Sequence, residues 1–276
     1  MKHDFEIIDF HTHPFLNASY NICNHKEVLP NMGIENTLSI MKGLGVSKIC
    51  GAVVSVDTKG GPSYKNDWQR ISDWNTQALE LKKIYGDFYI PGFHIHPDFV
   101  EESCLEIDRM HAQGIRLLGE LVPYLSGYKS YCSENMKIII DYATQKKMVV
   151  SIHTMLDDDM DAFVEQHPEA TIIAAHPNEY DRFMRHLQRL KEYPNYYLDI
   201  SGTGIFRYGM LRRAIDEVGA HKILYGSDFP ICNPGMFVGS VLFDSLITDE
   251  EKRAVFAENA KRLLGIGYNH ERTDNK

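Results

Sequence analysis

Eight short apolar runs divide the chain, at 5–10, 48–56, 88–95, 115–121, 148–152, 171–175, 196–200 and 222–225. Several are continuous rather than alternating, the pattern of strands buried on both faces of a parallel sheet. Each is followed by a segment of helical character, at 35–44, 73–85, 100–113, 134–146, 157–166, 180–192, 208–218 and 248–264. The last of these opens with Thr248-Asp249-Glu250-Glu251, a capping-box pattern that satisfies free backbone donors in the first turn. Strand then helix, repeated with no Pro/Gly/Ser-rich linker, predicts an α/β fold that closes as a (β/α)8 TIM barrel. One domain is expected over 1–268, with a polar tail at 269–276. The 276 residues suit a barrel, for which about 250 is usual. A doubly wound open sheet is the structural alternative, and the lack of a GxGxxG turn after the first run weighs against it.

Composition narrows the partners. With 29 Lys+Arg against 38 Asp+Glu, the formal charge of −9 repels polyanions, so nucleic acid is a poor default partner. No apolar stretch approaches the ~18 residues that a membrane span requires, and the first residues lack the pattern of a secretion signal. The five cysteines are odd in number, scattered and without a CxxC pair, and read as reduced thiols. A cytoplasmic protein acting on a small molecule is expected, and exposed apolar surface would allow a homodimer.

The residues that close the apolar runs carry the chemistry. His11 and His13 follow the first run, Glu120 lies in the fourth, and His153, His176 and Asp228 end the fifth, sixth and eighth. In a parallel barrel, strand C-termini converge on one mouth, so these six side chains would meet. Residues alternating along a strand share a face, which puts Asp9, His11 and His13 together. Imidazoles and carboxylates so gathered have the chemistry of a metal site.

The motifs Asp9-Phe10-His11-Thr12-His13, Ser151-Ile152-His153, Ala174-Ala175-His176-Pro177 and Gly226-Ser227-Asp228-Phe229-Pro230 resemble the metal-site motifs of the amidohydrolase superfamily. Asn259-Ala260-Lys261-Arg262-Leu263-Leu264-Gly265 is similar to the last helix of its amidohydrolase-related branch, which includes hydrolases and nonoxidative decarboxylases. The resemblance implies a barrel with one or two divalent ions at the mouth, zinc foremost, with manganese or iron also compatible. His11, His13 and Asp228 would hold one ion, and His153 and His176 a second. In single-metal relatives His153 joins the first ion, and His176 stays unligated to activate water. Where many two-metal members carry a carboxylated lysine, this chain has Glu120, whose two oxygens have the same bridging chemistry.

The implied reaction is hydrolysis of an amide, ester or lactone. A divalent ion lowers the pKa of bound water from about 16 to about 7, and Asp228 is placed to take the water's proton and return it to the leaving group. Nonoxidative decarboxylation on the same site is the first alternative. A TatD-like phosphoesterase is a second, against which the acidity and the Gly-Ser-Asp-Phe-Pro motif weigh. A barrel kept only for binding is a third. Asp9 is expected to orient an imidazole of the first pair. Arg207, after the seventh run, is a candidate clamp for a substrate carboxylate. Tyr124, Tyr128 and Tyr131 are candidate walls, and His94 and His96 are expected to pack or touch substrate rather than ligate.

Overall fold

The computed structural model describes residues 4–22, 32–55, 62–204 and 207–267. The expected tail at 269–276 lies outside the described residues. Eight parallel strands are β1 (Ile7–Asp9), β2 (Val46–Gly51), β3 (Tyr89–Phe93), β4 (Leu117–Leu121), β5 (Val149–His153), β6 (Thr171–Ala175), β7 (Tyr196–Asp199) and β8 (Ile223–Leu224). They pair in sequence order within one sheet. The amide of Phe10 donates to Tyr225 O at 2.9 Å, and that of Asp228 to His11 O at 2.8 Å. Those bonds join the last strand to the first, giving the (β/α)8 TIM barrel.

The connecting helices are α1 (Ile34–Gly43), α2 (Asp67–Tyr85), α3 (Val100–Ala112), the single turn α4 (Pro123–Ser126), α5 (Glu134–Gln145), α6 (Asp157–Gln166), α7 (Tyr180–Glu192), α8 (Met210–Val218), α9 (Pro234–Leu242), α10 (Asp249–Arg253) and α11 (Asn259–Leu264). A π-helical turn, Ala254–Glu258, joins the last two. The expected capping box is present: Thr248 Oγ1 accepts from the amide of Glu251, whose carboxylate accepts from the amide of Thr248. α2 begins six residues before the expected 73, because the side chain of Asn66 caps it by accepting from Gln69 N. No described helix is long and apolar enough to cross a membrane.

Two layers of core follow from burial on both sheet faces. Ile8, Cys50, Leu117, Val149, Ile173 and Leu224, from six different strands, pack together with Ala257, Ala260 and Leu264. Side chains from so many strands meet only inside a closed sheet. A larger shell joins the other strand faces to helix residues such as Trp74, Ile107, Ile139, Phe163, Leu187 and Phe256. Burying an aliphatic or aromatic side chain of this kind contributes about 1.5–3 kcal/mol. The rigid frame leaves the residues beyond the C-terminal strand ends to build a site.

Candidate metal centre

Pairing of β1 stops at Asp9, and the chain beyond it is held by backbone bonds to both neighbours. Thr12 N donates to Cys50 O at 2.9 Å, and His13 N to Phe229 O at 2.7 Å. This fixes His11 and His13 at the mouth, with their Nε2 atoms 3.3 Å apart. Gly226 leaves room for His11: a Cβ added there would come within 2.7 Å of the histidine's own Cβ. Glu120 Oε2 lies 3.4 Å from His11 Nε2 and 3.3 Å from His13 Nε2. Asp228 Oδ1 lies 3.6 and 3.5 Å from the same two atoms. The second carboxylate oxygen of Glu120 meets His153 Nδ1 at 2.9 Å and His176 Nε2 at 3.5 Å. All six residues expected to meet do so, in two groups that share Glu120.

The outer imidazole nitrogens show what the inner ones can do. His13 Nδ1 faces Ala52 O at 3.0 Å, and a carbonyl only accepts, so this nitrogen bears hydrogen. His11 Nδ1 faces Asp199 Oδ2 at 2.9 Å and is fixed in the same way. Nε2 is therefore the atom that each ring can offer a cation, on His11 in exchange for a proton, the usual arrangement for metal-bound histidine. Asp228 Oδ1 is buried and has no hydrogen-bond partner among the described residues. Two imidazole lone pairs and two carboxylate oxygens converging in a buried space repel one another unless a cation lies among them, so the donor set fits a divalent ion. The field acts on protons in the same sense. Burial opposes charge on His11, yet the carboxylates of Asp199 and Glu120 outweigh it and raise its pKa well above the usual imidazole value. Burial likewise disfavours the charged form of Glu120, but His11 and His153 hold its pKa well below the carboxylate range. Burial keeps the pKa of His176 below 6.5, so that imidazole is neutral at neutral pH.

Asp9 does not orient an imidazole. Its Oδ1 accepts from the amides of Ser227 at 2.9 Å and His11 at 3.3 Å, and burial raises its pKa to about 7. Asp9 is the last residue of β1, and its carboxylate turns to cap the backbone beside it rather than an imidazole. The orienting role falls to Asp199, at the end of β7, with Ser201 two residues on. Neither was singled out from the sequence, although Asp199-Ile200-Ser201-Gly202 repeats the alternating polar pattern that marked His11 and His13.

Arg207 pairs with Glu179, an exposed carboxylate in the β6–α7 loop. Tyr124 is exposed and holds its hydroxyl 3.4 Å from His153 Nε2, whereas Tyr131 is buried and shares its one hydroxyl proton between Leu121 O and His153 O. Tyr128 is also buried, edge-on to the ring of His96. His94 is buried and donates from Nε2 to Val53 O at 2.9 Å. The expectation of packing holds for it, and burial lowers its pKa to about 4.

A closed parallel barrel with imidazoles and carboxylates gathered at its C-terminal mouth has the architecture of a metal-dependent barrel enzyme. The chain belongs to the amidohydrolase family, which it matches over residues 8–266. No curated protein matches it by sequence. Its fold is similar to that of 5-carboxyvanillate decarboxylase from Novosphingobium aromaticivorans, solved with manganese and 4-hydroxy-3-methoxy-5-nitrobenzoic acid. That pair shares 13% identity at a TM-score of 0.68, covering 95% of this chain and 97% of the other. It is also similar to 2,6-dihydroxybenzoate decarboxylase from Rhizobium, at 14% identity and a TM-score of 0.66, covering 95% and 99% of the two chains. A putative amidohydrolase from Staphylococcus aureus shares 15% identity at a TM-score of 0.68, covering 95% of this chain and all of its own.

Proposed function

We propose that the protein is a metal-dependent hydrolase that breaks an amide, ester or lactone bond in a small organic substrate. The observation that carries this reading is the position of Glu120, with one oxygen toward His11 and His13 and the other toward His153 and His176. Two donor groups joined by one carboxylate suit a pair of cations. His11, His13 and Asp228 would hold one, His153 and His176 the other, with Glu120 between. Zinc, manganese and iron all accept such ligands. Bound there, divalent ions supply Lewis acidity, lowering the pKa of water and drawing charge from a substrate oxygen.

The chain's own groups do the rest. Asp228 offers a buried, unpartnered oxygen that takes the proton of the attacking water and later delivers it to the leaving group. The Nδ1 bonds of His11 and His13 hold the imidazoles still while this happens. Arg207 is read as a ligand for a carboxylate on the substrate, exchanging its exposed bond to Glu179 for a substrate bond. The unpaired thiols of Cys50, Cys104, Cys132 and Cys232 support a cytoplasmic setting.

Nonoxidative decarboxylation is the second reading, favoured by the likeness to two decarboxylases, one of them with manganese bound. One panel separates the two. The zinc- and manganese-loaded protein is offered amides, esters and lactones with acid release followed, and hydroxybenzoates with carbon dioxide release followed. Acid release that disappears in Asp228→Ala supports hydrolysis. Carbon dioxide release without hydrolysis of any member would overturn it.

A further inference from the structure

Ser201 is buried between the two ligand groups. Its Oγ lies 3.0 Å from His176 Nδ1 and 3.1 Å from His11 Nδ1. The hydroxyl also donates to Asp199 Oδ1, which accepts from the Ser201 amide at 2.9 Å. A hydroxyl has one proton, and an ionised carboxylate can only accept. With that proton on Asp199, Ser201 Oγ can meet the imidazoles only as an acceptor. His176 Nδ1 is then the donor, which leaves its Nε2 bare toward Glu120 Oε1 at 3.5 Å. His11 Nδ1–H is shared between Ser201 and Asp199 Oδ2 at 2.9 Å.

We propose that Ser201 is a positioning residue that sets the tautomer of His176 and, through Asp199, couples it to that of His11. Both ligand groups are thereby presented to cations in the competent form. The inference rests on reading the cluster as a cation site, but its first test uses no cation. Removing the hydroxyl acts unequally on the two rings. Among the described residues Ser201 Oγ is the hydrogen-bond partner of His176 Nδ1, whereas His11 keeps Asp199. Gly202 leaves little room for a substitute, since a Cβ there would lie 2.3 Å from His176 Nδ1.

The experiment compares metal-free wild type, Ser201→Ala and the hydroxyl-retaining Ser201→Thr by two-bond 1H–15N NMR of the imidazoles, which separates Nδ1–H from Nε2–H rings. The His176 signals are identified by their loss in His176→Asn. Wild type and Ser201→Thr are expected to show His176 as Nδ1–H. In Ser201→Ala it shifts toward Nε2–H, donating to Glu120, while His11 keeps its Nδ1–H on Asp199. Should the alanine variant not fold, Ser201→Cys replaces it with the same expectation, because a thiol accepts weakly. Manganese alone is then titrated into each protein. The second equivalent is expected to bind about tenfold more weakly in Ser201→Ala, at the low end for loss of a ligand-orienting partner, with the first unchanged. An unaltered His176 tautomer overturns the proposal, as does equal weakening of both equivalents. If wild type binds no manganese, the cation reading fails and the NMR result alone decides the role of Ser201.

Discussion

His11 and His13 point their Nε2 atoms at each other across 3.3 Å, although each Nδ1 is already committed to a protein acceptor. Beside the carboxylates of Glu120 and Asp228 these ring nitrogens form a buried centre whose groups repel one another once His11 gives up its proton. A cation converts that repulsion into attraction, so the ions contribute to stability as well as to reactivity.

Chelation should therefore lower the melting temperature. An ion held at a thousand times its Kd adds about 4 kcal/mol, which for a chain of this size is on the order of 10 °C. Thermal melts of wild type with and without chelator read this directly. His11→Ala should begin from a lower value and respond less to the chelator. An unchanged wild-type melt would show that no stabilising ion is bound.

Asp228→Asn keeps the shape of the side chain and removes the proton acceptor. Turnover should fall by about a thousandfold or more, with ion affinity also reduced and circular dichroism unchanged. Full activity in this variant would exclude Asp228 from the role assigned to it.

Gly202 has φ +63°, and the space where its side chain would stand is filled by the ring of His176. Gly202→Ala combines left-handed strain, about 1–2 kcal/mol, with displacement of that ring. Urea unfolding should show the stability loss, and the metal content should fall in parallel. A variant as stable and as well loaded as wild type would mean that His176 is free to move.

His186 supplies a pH test away from the centre. It is buried between Thr154 Oγ1 at 3.2 Å and Tyr196 OH at 3.0 Å, and burial lowers its pKa from 6.5 to about 3. Between those values the unfolded chain binds a proton that the folded one refuses. Stability from this group is complete above pH 6.5 and is lost as pH falls toward 3. The limiting slope is about 1.4 kcal/mol per pH unit. In chelator, urea midpoints of wild type should decline more steeply between pH 7 and 5 than those of His186→Gln. Parallel declines would contradict the assignment.

The strands were legible because burial on both faces leaves apolar runs that few other structures produce. The site was legible because its ligands sit at equivalent points after those runs. α9 was hidden by its sequence: Pro-Gly-Met-Phe-Val-Gly-Ser-Val-Leu is apolar nearly throughout and has no polar face to set a helical period. Its signal was local, an Asn233 cap with Pro234 in the first turn. α4 is one turn, too short for any period. Asp199 and Ser201 close the seventh run as His153 and His176 close theirs, but the imidazoles they serve lie on other strands and become neighbours only when the barrel closes. Asp9 lies within β1, but alternation does not say which neighbour a carboxylate meets, and the amides of His11 and Ser227 take its Oδ1.

The most direct test of the two-group centre is the metal-to-protein ratio, measured by elemental mass spectrometry on wild type and Glu120→Ala purified side by side without chelator. A ratio near two that drops in the variant is the predicted result, because Glu120 serves both groups. A wild-type ratio near one that the substitution leaves unchanged would contradict the shared carboxylate and give the decarboxylase reading equal standing.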